Sequence, residues 1–428
     1  VLTRVEINGF KSFQDFALDF EPLLMVLGPN SAGKSNLFDA LALISRLSSM
    51  EISKALQGGR GSIRDQFSRT PTGIANEMSF AVELLVSDDN QLAELAQTRF
   101  RYELIISHKR LSSGVEELNV AHERLRPIVR AADKWLESHS AYSPFVRYDA
   151  PDVLLALEFG EPDMPRAAVS REYSQASGRA AERDVRELPL VAEKTLLAEV
   201  FGRHITAVRH ELRSWRFLHL GMVALRTPSE PGASARLVSD GSNLPTALAA
   251  LSEEVRARLQ ADMAELVPGL ASLQVTIGND DLGVEATFSD GQKYSQRVMS
   301  DGTLRLLALL TMLHSSEPGG LVAWEEPENG LHPGRLRELL RRLRELVQRD
   351  DALPVQILMN GHSPAIVAGL YDLPGSLALA DLVRRNGGPR RTRVRRVAAS
   401  TQPSDPFTTV SMREIEALLE AARPEPAE

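Results

Sequence analysis

Apolar and polar residues alternate through Val5-Glu-Ile-Asn8 and again from Phe13 to Phe20, then give way to the unbroken apolar run Leu23-Leu-Met-Val-Leu27. Alternation with period two predicts half-buried strands, whereas a short run without polar positions predicts a strand covered on both faces. Met78–Val86 and Phe100–Ser107 read as two more strands, so an antiparallel sheet is predicted to lean on the buried one. Residues 110–185 are polar and mixed in periodicity, interrupted by Pro144, Pro151, Pro162 and Pro165, and read as an inserted subdomain. Beyond them, Leu197, Phe201, Ile205, Val208, Leu212 and Trp215 recur at helical spacing, as do Leu248, Leu251, Val255, Leu259, Met263 and Leu266. These predict a short helical hairpin, too short for an extended coiled-coil arm. A three-stranded meander is predicted from Gln274 to Val298, with turns at Asn279-Asp-Asp and Asp290-Gly. Two further buried strands, ending at Trp324 and Met359, flank an amphipathic helix with Leu336, Leu340, Leu343 and Val347 on one stripe.

The first buried strand runs directly into Gly28-Pro-Asn-Ser-Ala-Gly-Lys-Ser35, and a helix-like segment follows from Asn36. Strand, glycine-rich loop and helix in that order form a phosphate cradle. Gly28 and Gly33 let the backbone bend so that successive N–H groups and the helix start face an anion. Lys34 supplies a charge for the β- and γ-phosphates, and the Ser35 hydroxyl a ligand for magnesium. The chain is therefore expected to bind a nucleoside triphosphate with Mg2+.

Composition narrows the setting. A chain of 428 residues can bury a large core, and a net charge of −8 argues against a generally basic surface that coats nucleic acid, although a local basic groove would not register in that sum. There is no cysteine, which excludes disulfides, iron–sulfur clusters and cysteine-ligated zinc. No apolar run reaches the ~20 residues of a membrane span, so a cytoplasmic protein without a membrane partner is expected.

Three more segments carry chemistry. Ser300-Asp-Gly-Thr303 opens an apolar helix, although Ser-Asp-Gly is also an ordinary turn and helix cap. The strand Leu321-Val-Ala-Trp ends in Glu325-Glu-Pro-Glu-Asn-Gly-Leu-His-Pro333, where alternation would send Glu325 and Glu326 to opposite sides. One carboxylate can then serve the magnesium shell and the other the attacking water. The last strand leads to Gly361-His-Ser-Pro364, which brings His362 to the ligand edge of such a sheet.

In this order the motifs, with the opening Asn8-Gly-Phe-Lys-Ser-Phe13, resemble the ABC-type ATPase heads of the SMC, RecF and OLD group, and most closely the stand-alone OLD-like ATPases, often labelled AAA ATPases. The resemblance covers roughly residues 1–90 and 271–400. It implies an α/β fold of the P-loop, ABC-ATPase type: a mixed-sheet core, an antiparallel β lobe and a helical or mixed insertion. The head would comprise residues 1–110 and 271–410, the insertion 111–270, and a carboxy-terminal helix and tail 411–428. It also implies that Asn30, Ser31, Ala32, Gly33, Lys34, Ser35 and Asn36 form the phosphate loop, with Lys11 near the nucleotide. Ser300, Gly302 and Thr303 would stand at the signature, meeting the γ-phosphate held by another protomer. Glu325 would be the metal-side acid beside Ser35, Glu326 the catalytic base, Asn329 part of the D-loop, and His362 the switch histidine. Gln66 is the candidate for the Q-loop glutamine. The metal-side acid is usually aspartate; Glu325 is one methylene longer, a difference that water-mediated magnesium contact can absorb, with slow hydrolysis expected.

The resemblance thus implies an ATP-hydrolysing switch, a homodimer with two ATP molecules sandwiched between heads, acting in DNA maintenance or defence against mobile DNA. A transporter motor fits less well, because the distance from Lys34 to Ser300 is much longer and no Ser-Gly-Gly-Gln signature occurs. The stretch after His362 lacks the acidic cluster of a two-metal nuclease, so any nuclease or effector is expected to be a separate partner. A nucleotide sensor with little hydrolysis is the alternative. Arg384-Arg385 and Arg390–Arg396 flank Asn386-Gly, predicting a ribbon whose guanidinium groups either meet a DNA backbone or an acidic partner, or form a solvated edge. Ser411 and Glu414 predict a capping box, and Pro424-Glu-Pro a frayed end.

Overall fold

The computed structural model describes residues 1–71, 73–87, 95–149, 154–160, 164–170, 183–187, 193–316, 319–348, 353–384, 388–398, 405 and 407–421. Pro151, Pro162, the Asn386-Gly turn and the Pro424-Glu-Pro tail lie outside the described residues.

Strands β1 (Leu2–Asn8) and β2 (Phe16–Asp19) form an antiparallel pair, as their alternation predicts. Next comes β3 (Leu23–Leu27), buried along its whole length, then the phosphate loop and α1 (Lys34–Leu47). β4 (Glu77–Leu85), β5 (Arg99–Arg110), β6 (Glu116–Pro127), β7 (Leu155–Gly160), β8 (Met164–Ser170) and β9 (Arg183–Glu187) extend the first sheet in the order β9-β8-β7-β6-β5-β4-β1-β2. Within residues 111–270, the strands β6 to β9 continue the amino-terminal sheet. The reason is visible in β6, whose Val120, Glu123 and Leu125 are buried like the inward positions of its neighbour β5.

The expected helical hairpin does not form. The first helix breaks at Phe201-Gly202: Phe201 is 81% exposed, and α2 spans only Arg203–Ser214, packed on α1. β10 (Arg216–Leu218) and the short α3 (Met222–Arg226) follow. The second helix restarts at its Ser252 cap as α4 (Glu253–Leu266), which packs on the helix that Ser300 opens instead of on α2. The meander is present as β11 (Leu270–Ile277), β12 (Leu282–Phe288) and β13 (Lys293–Ser295).

The chain then builds the second half of the core: α5 (Asp301–Ser315), β14 (Leu321–Glu325), α6 (Pro333–Val347), β15 (Gln356–Gly361), β16 (Leu377–Arg384), β17 (Arg390–Ala398), β18 (Thr409–Ser411) and α7 (Met412–Ala421). Their sheet has the order β10-β14-β15-β3-β16-β17-β18, parallel from β10 through β16, with β17 antiparallel to β16. Successive residues of β3 serve opposite cores. Leu24 and Val26 join the cluster containing α1 and the first sheet; Leu23, Met25 and Leu27 join the one containing α5 and α6. This two-sided covering explains the continuous apolar run. Ser411 Oγ accepts from the Glu414 N–H (3.2 Å), but the Glu414 carboxylate goes to Arg395 Nη1 (3.0 Å), so only half of the expected capping box is made.

Candidate nucleotide site

Parallel strands of this sheet deliver their carboxy-terminal ends to one edge, where ligands of such sheets bind. The β3 end carries the phosphate loop. Its backbone has positive φ at Gly28 (150°), Ser31 (67°) and Gly33 (89°). Gly33 could not be replaced in place, because a Cβ there would lie 1.9 Å from Thr392 Oγ1. Thr392, on β17, supports the loop from behind: its hydroxyl bonds the Ala32 carbonyl (3.0 Å) and pairs with Ser12 Oγ (2.7 Å), which also accepts from Asn36 Nδ2 (2.8 Å). Asn30 and Ser31 remain exposed at the loop tip.

Lys34 is buried, and its Nζ donates to the carbonyl oxygens of Gly28 (2.7 Å) and Pro29 (2.9 Å). Burial holds this ammonium below the ordinary lysine range, against the opposing pull of Glu326, Glu328 and Glu325. Three carboxylates and one desolvated cation therefore face each other across the end of the sheet.

The β14 end supplies the acids. The strand stops at Glu325, and Glu326 reverses the backbone at φ 53°, so the two side chains are separated by that reversal and not by the predicted strand alternation. The Glu326 N–H is held by the backbone carbonyl (3.1 Å) and side-chain oxygen (3.0 Å) of Asn360 on the neighbouring β15. Asn329 Nδ2 donates to Glu326 Oε2 (2.6 Å). His362, just past β15, is half-exposed; its N–H donates to Glu328 Oε1 (2.7 Å), and its Nδ1 is 3.2 Å from the same oxygen. The structure thus brings the phosphate loop, Glu325, Glu326 and His362 to adjacent strand ends.

Several expected residues hold other partners. Lys11 Nζ forms an ion pair with Asp39 (2.6 Å) on α1. Gln66 is buried and donates to the Arg60 carbonyl (2.7 Å). Ser300 Oγ caps α5 through the Thr303 N–H (3.2 Å) and meets Thr303 Oγ1 (2.8 Å), while Gly302 packs against Gly330 and Leu331 in the turn after β14. The Arg-rich ribbon is paired within the chain: Arg391 with Asp15, Arg393 and Arg395 with Asp381, Arg395 with Glu414, and Arg396 with Glu21.

Three residues were missed. Arg60 donates to Asp39 (3.0 Å) and to the Ser35 carbonyl (3.0 Å), and stands 3.6 Å from Glu325 Oε1. Glu328 holds the His362 backbone; the repeated glutamates of Glu-Glu-Pro-Glu were its only signal in the sequence. His219, after β10, lies 3.9 Å from Glu325. No group of three or more His, Cys, Asp or Glu is arranged to hold a metal among the described residues. The arrangement instead suits magnesium, which keeps several waters and uses one carboxylate, a hydroxyl and substrate phosphates. Among the described residues no helix is long and apolar enough to cross a membrane.

The family described as "AAA ATPase domain" matches residues 1–175, and the one described as "AAA domain, putative AbiEii toxin, Type IV TA system" matches residues 157–368. Structural maintenance of chromosomes protein 1 of Schizosaccharomyces pombe is 32% identical over 96 residues, which is 21% of this chain. The chain spans 8% of that relative's length. Among solved structures, an Smc head bound to the C-winged helix domain of ScpA shares the fold with a TM-score of 0.51 at 13% identity, over 92% of this chain and 98% of the other. The Smc head of Pyrococcus yayanosii, with a coiled coil and joint, gives 0.50 at 12% identity, over 98% and 99%. None of these likenesses singles out the OLD-like branch. Two ATPase-domain families together match residues 1–368 and the fold is shared with Smc heads, so the chain is similar to the ABC-type ATPase heads of the SMC, RecF and OLD group.

Proposed function

We propose that this protein is a magnesium-dependent ATP switch in which two copies close around two ATP molecules. In this reading Lys34 and the loop N–H groups bind the phosphates, Ser35 and Glu325 hold the metal, and Glu326 orients and deprotonates the attacking water. His362, steadied by Glu328, reads the γ-phosphate. Ser300 and Gly302 of a second copy complete each site. Contacts to the γ-phosphate exist before hydrolysis and are lost after it, so opening and closing follow the nucleotide.

The observation that carries this reading is the bond of the Glu326 N–H to Asn360, which locks the acid-bearing turn to the strand that delivers His362, next to the phosphate-loop strand. Glu326→Gln is expected to keep ATP binding and to accumulate a dimer with ATP, measured by light scattering on a sizing column. A variant that stays monomeric with saturating ATP would refute the switch.

The wider role is proposed from relatives: chromosome maintenance is named in one, and a toxin–antitoxin system in another. We place the protein in DNA maintenance or defence against mobile DNA, with any nuclease or effector supplied by a separate chain. The Arg-rich ribbon is not part of this reading, since Arg391, Arg393, Arg395 and Arg396 pair with acids of the same chain. DNA binding should then be ATP-dependent, salt-sensitive and unaffected by neutralising Arg390. No DNA retention at low salt with ATP would remove this role.

A further inference from the structure

Three strand ends of the parallel sheet contribute to the site described above. A fourth, β10, lies beside β14 in register, with Leu218 opposite Trp324, and the residue after it is His219. Its main chain is held firmly. The His219 N–H donates to the Ser239 carbonyl (2.8 Å), the Gly221 N–H donates to the Asp240 carbonyl (3.1 Å), and Leu220 between them is buried. Its side chain is held by nothing comparable: it is 80% exposed, with Nδ1 3.9 Å from Glu325 Oε1.

An imidazole so exposed contributes little to the core, yet its anchored backbone aims it at one particular carboxylate oxygen. The gap is about one ångström beyond hydrogen-bond length, which a small side-chain rotation closes. Arg60 stands 3.6 Å from the same oxygen and is occupied by Asp39 and the Ser35 carbonyl as well. Among the described residues, Glu325 is the acid with which His219 pairs.

We propose that His219 is a positioning residue for Glu325, donating an imidazole N–H that fixes the carboxylate and thereby its hold on the magnesium shell. The longer Glu325 side chain has one more rotor than the usual aspartate, and therefore gains more from a second donor that fixes its angle. The proposal rests on the reading of Glu325 as the metal-side acid.

The test is equilibrium binding of a fluorescent ATP analogue to the full chain while Mg2+ is titrated, with a parallel arm in EDTA. His219→Ala is expected to raise the half-saturating Mg2+ concentration about tenfold, the lower end for outer partners of metal ligands, and to leave affinity in EDTA unchanged. His219→Gln, which keeps a neutral donor, should recover most of the loss. Melting should not change in either variant, because the side chain is exposed. Glu325→Gln serves as the reference. If Glu325→Gln raises the Mg2+ requirement and His219→Ala does not, this proposal fails while the site reading stands. If Glu325→Gln leaves the requirement unchanged, the metal-side assignment fails and the proposal falls with it. Equal loss of affinity with and without Mg2+ in His219→Ala, or no recovery in His219→Gln, also overturns it.

Discussion

Replacing Gly302 by alanine would place a methyl group 2.6 Å from the Gly330 carbonyl oxygen and 3.0 Å from Leu331 Cδ2. Gly302 sits in the first turn of α5, and its backbone has no positive φ, so alanine suits the local conformation and gains up to about 1 kcal/mol of helix propensity. Against that gain stands an overlap with a backbone atom that cannot rotate away, and overpacking of this kind costs about 1–3 kcal/mol. The net loss is about 0–2 kcal/mol, a shift of a few degrees at most in the melting midpoint of so long a chain. The geometric effect is larger. Ordinary contact begins at 3.4 Å, so the turn must retreat by the better part of an ångström. That turn carries Asn329, whose amide holds Glu326 Oε2 at 2.6 Å. Because misplacement of a reacting group by about 1 Å can cost ~100-fold in rate, Gly302→Ala is expected to bind ATP within about twofold of the original and to hydrolyse it at least about tenfold more slowly. Phosphate release at saturating ATP, fluorescent-nucleotide binding and thermal melting measure the three quantities separately. A variant with undiminished turnover would refute the coupling between the Ser300–Thr303 turn and Glu326, the proposed base; one that loses rate and nucleotide affinity together would show that the damage is general.

Lys34→Ala should abolish nucleotide binding in a fluorescence titration, because among the described residues no other cation is buried against the loop carbonyls; retained affinity would remove Lys34 from the site. Ser300→Arg loses the cap of α5, about 1 kcal/mol, and is expected to block hydrolysis while a single chain still binds ATP; full activity would contradict the two-chain site. Glu123 supplies a pH test. Burial pushes its carboxyl from 4.5 up to about 7, although the Leu196 and Leu197 N–H groups and the Tyr102 hydroxyl favour the ionised form. A raised carboxyl lends stability that is present in full below its ordinary value and is lost as pH rises through the raised one. The melting midpoint should therefore fall between about pH 4.5 and 7, and fall less in Glu123→Gln; identical pH profiles would rule the effect out.

The legible parts of the chain were those whose signal is local. β3 and β14 announce themselves as apolar runs because both faces are covered, and the loop after β3 is a phosphate cradle in any context. What stayed hidden depends on pairs far apart in sequence. Thr392 supports Ala32 across 360 residues, and the ribbon arginines find acids at Asp15, Glu21, Asp381 and Glu414, none of which a charge count connects to them. The two long helices were overextended for a different reason. Phe201 and Leu251 keep the apolar spacing, but Gly202 and Ser252 interrupt the backbone, and periodicity does not register a break that preserves phase. The alternation expected for Glu325 and Glu326 failed where the strand ended, since a residue at φ 53° no longer follows strand geometry.

The substitution of glutamate for the usual aspartate at position 325 becomes intelligible from its surroundings. Arg60 ties together both members of the expected metal pair, donating to the Ser35 carbonyl and lying 3.6 Å from Glu325. Its own partner, Asp39, is shared with Lys11, so a single carboxylate on α1 anchors two cations beside the phosphate loop. A guanidinium that is 52% exposed forms an ion pair worth about 0–1 kcal/mol, small enough for a divalent cation and triphosphate to displace. Glu325 can therefore turn between Arg60 and a metal at little cost, and the extra methylene gives it the reach to do so. A shorter aspartate would lose reach toward both cations, which makes Glu325→Asp a change in the site's resting geometry as much as in its metal binding. Asp39 should thereby influence nucleotide affinity, because it holds both Arg60 and Lys11 against α1.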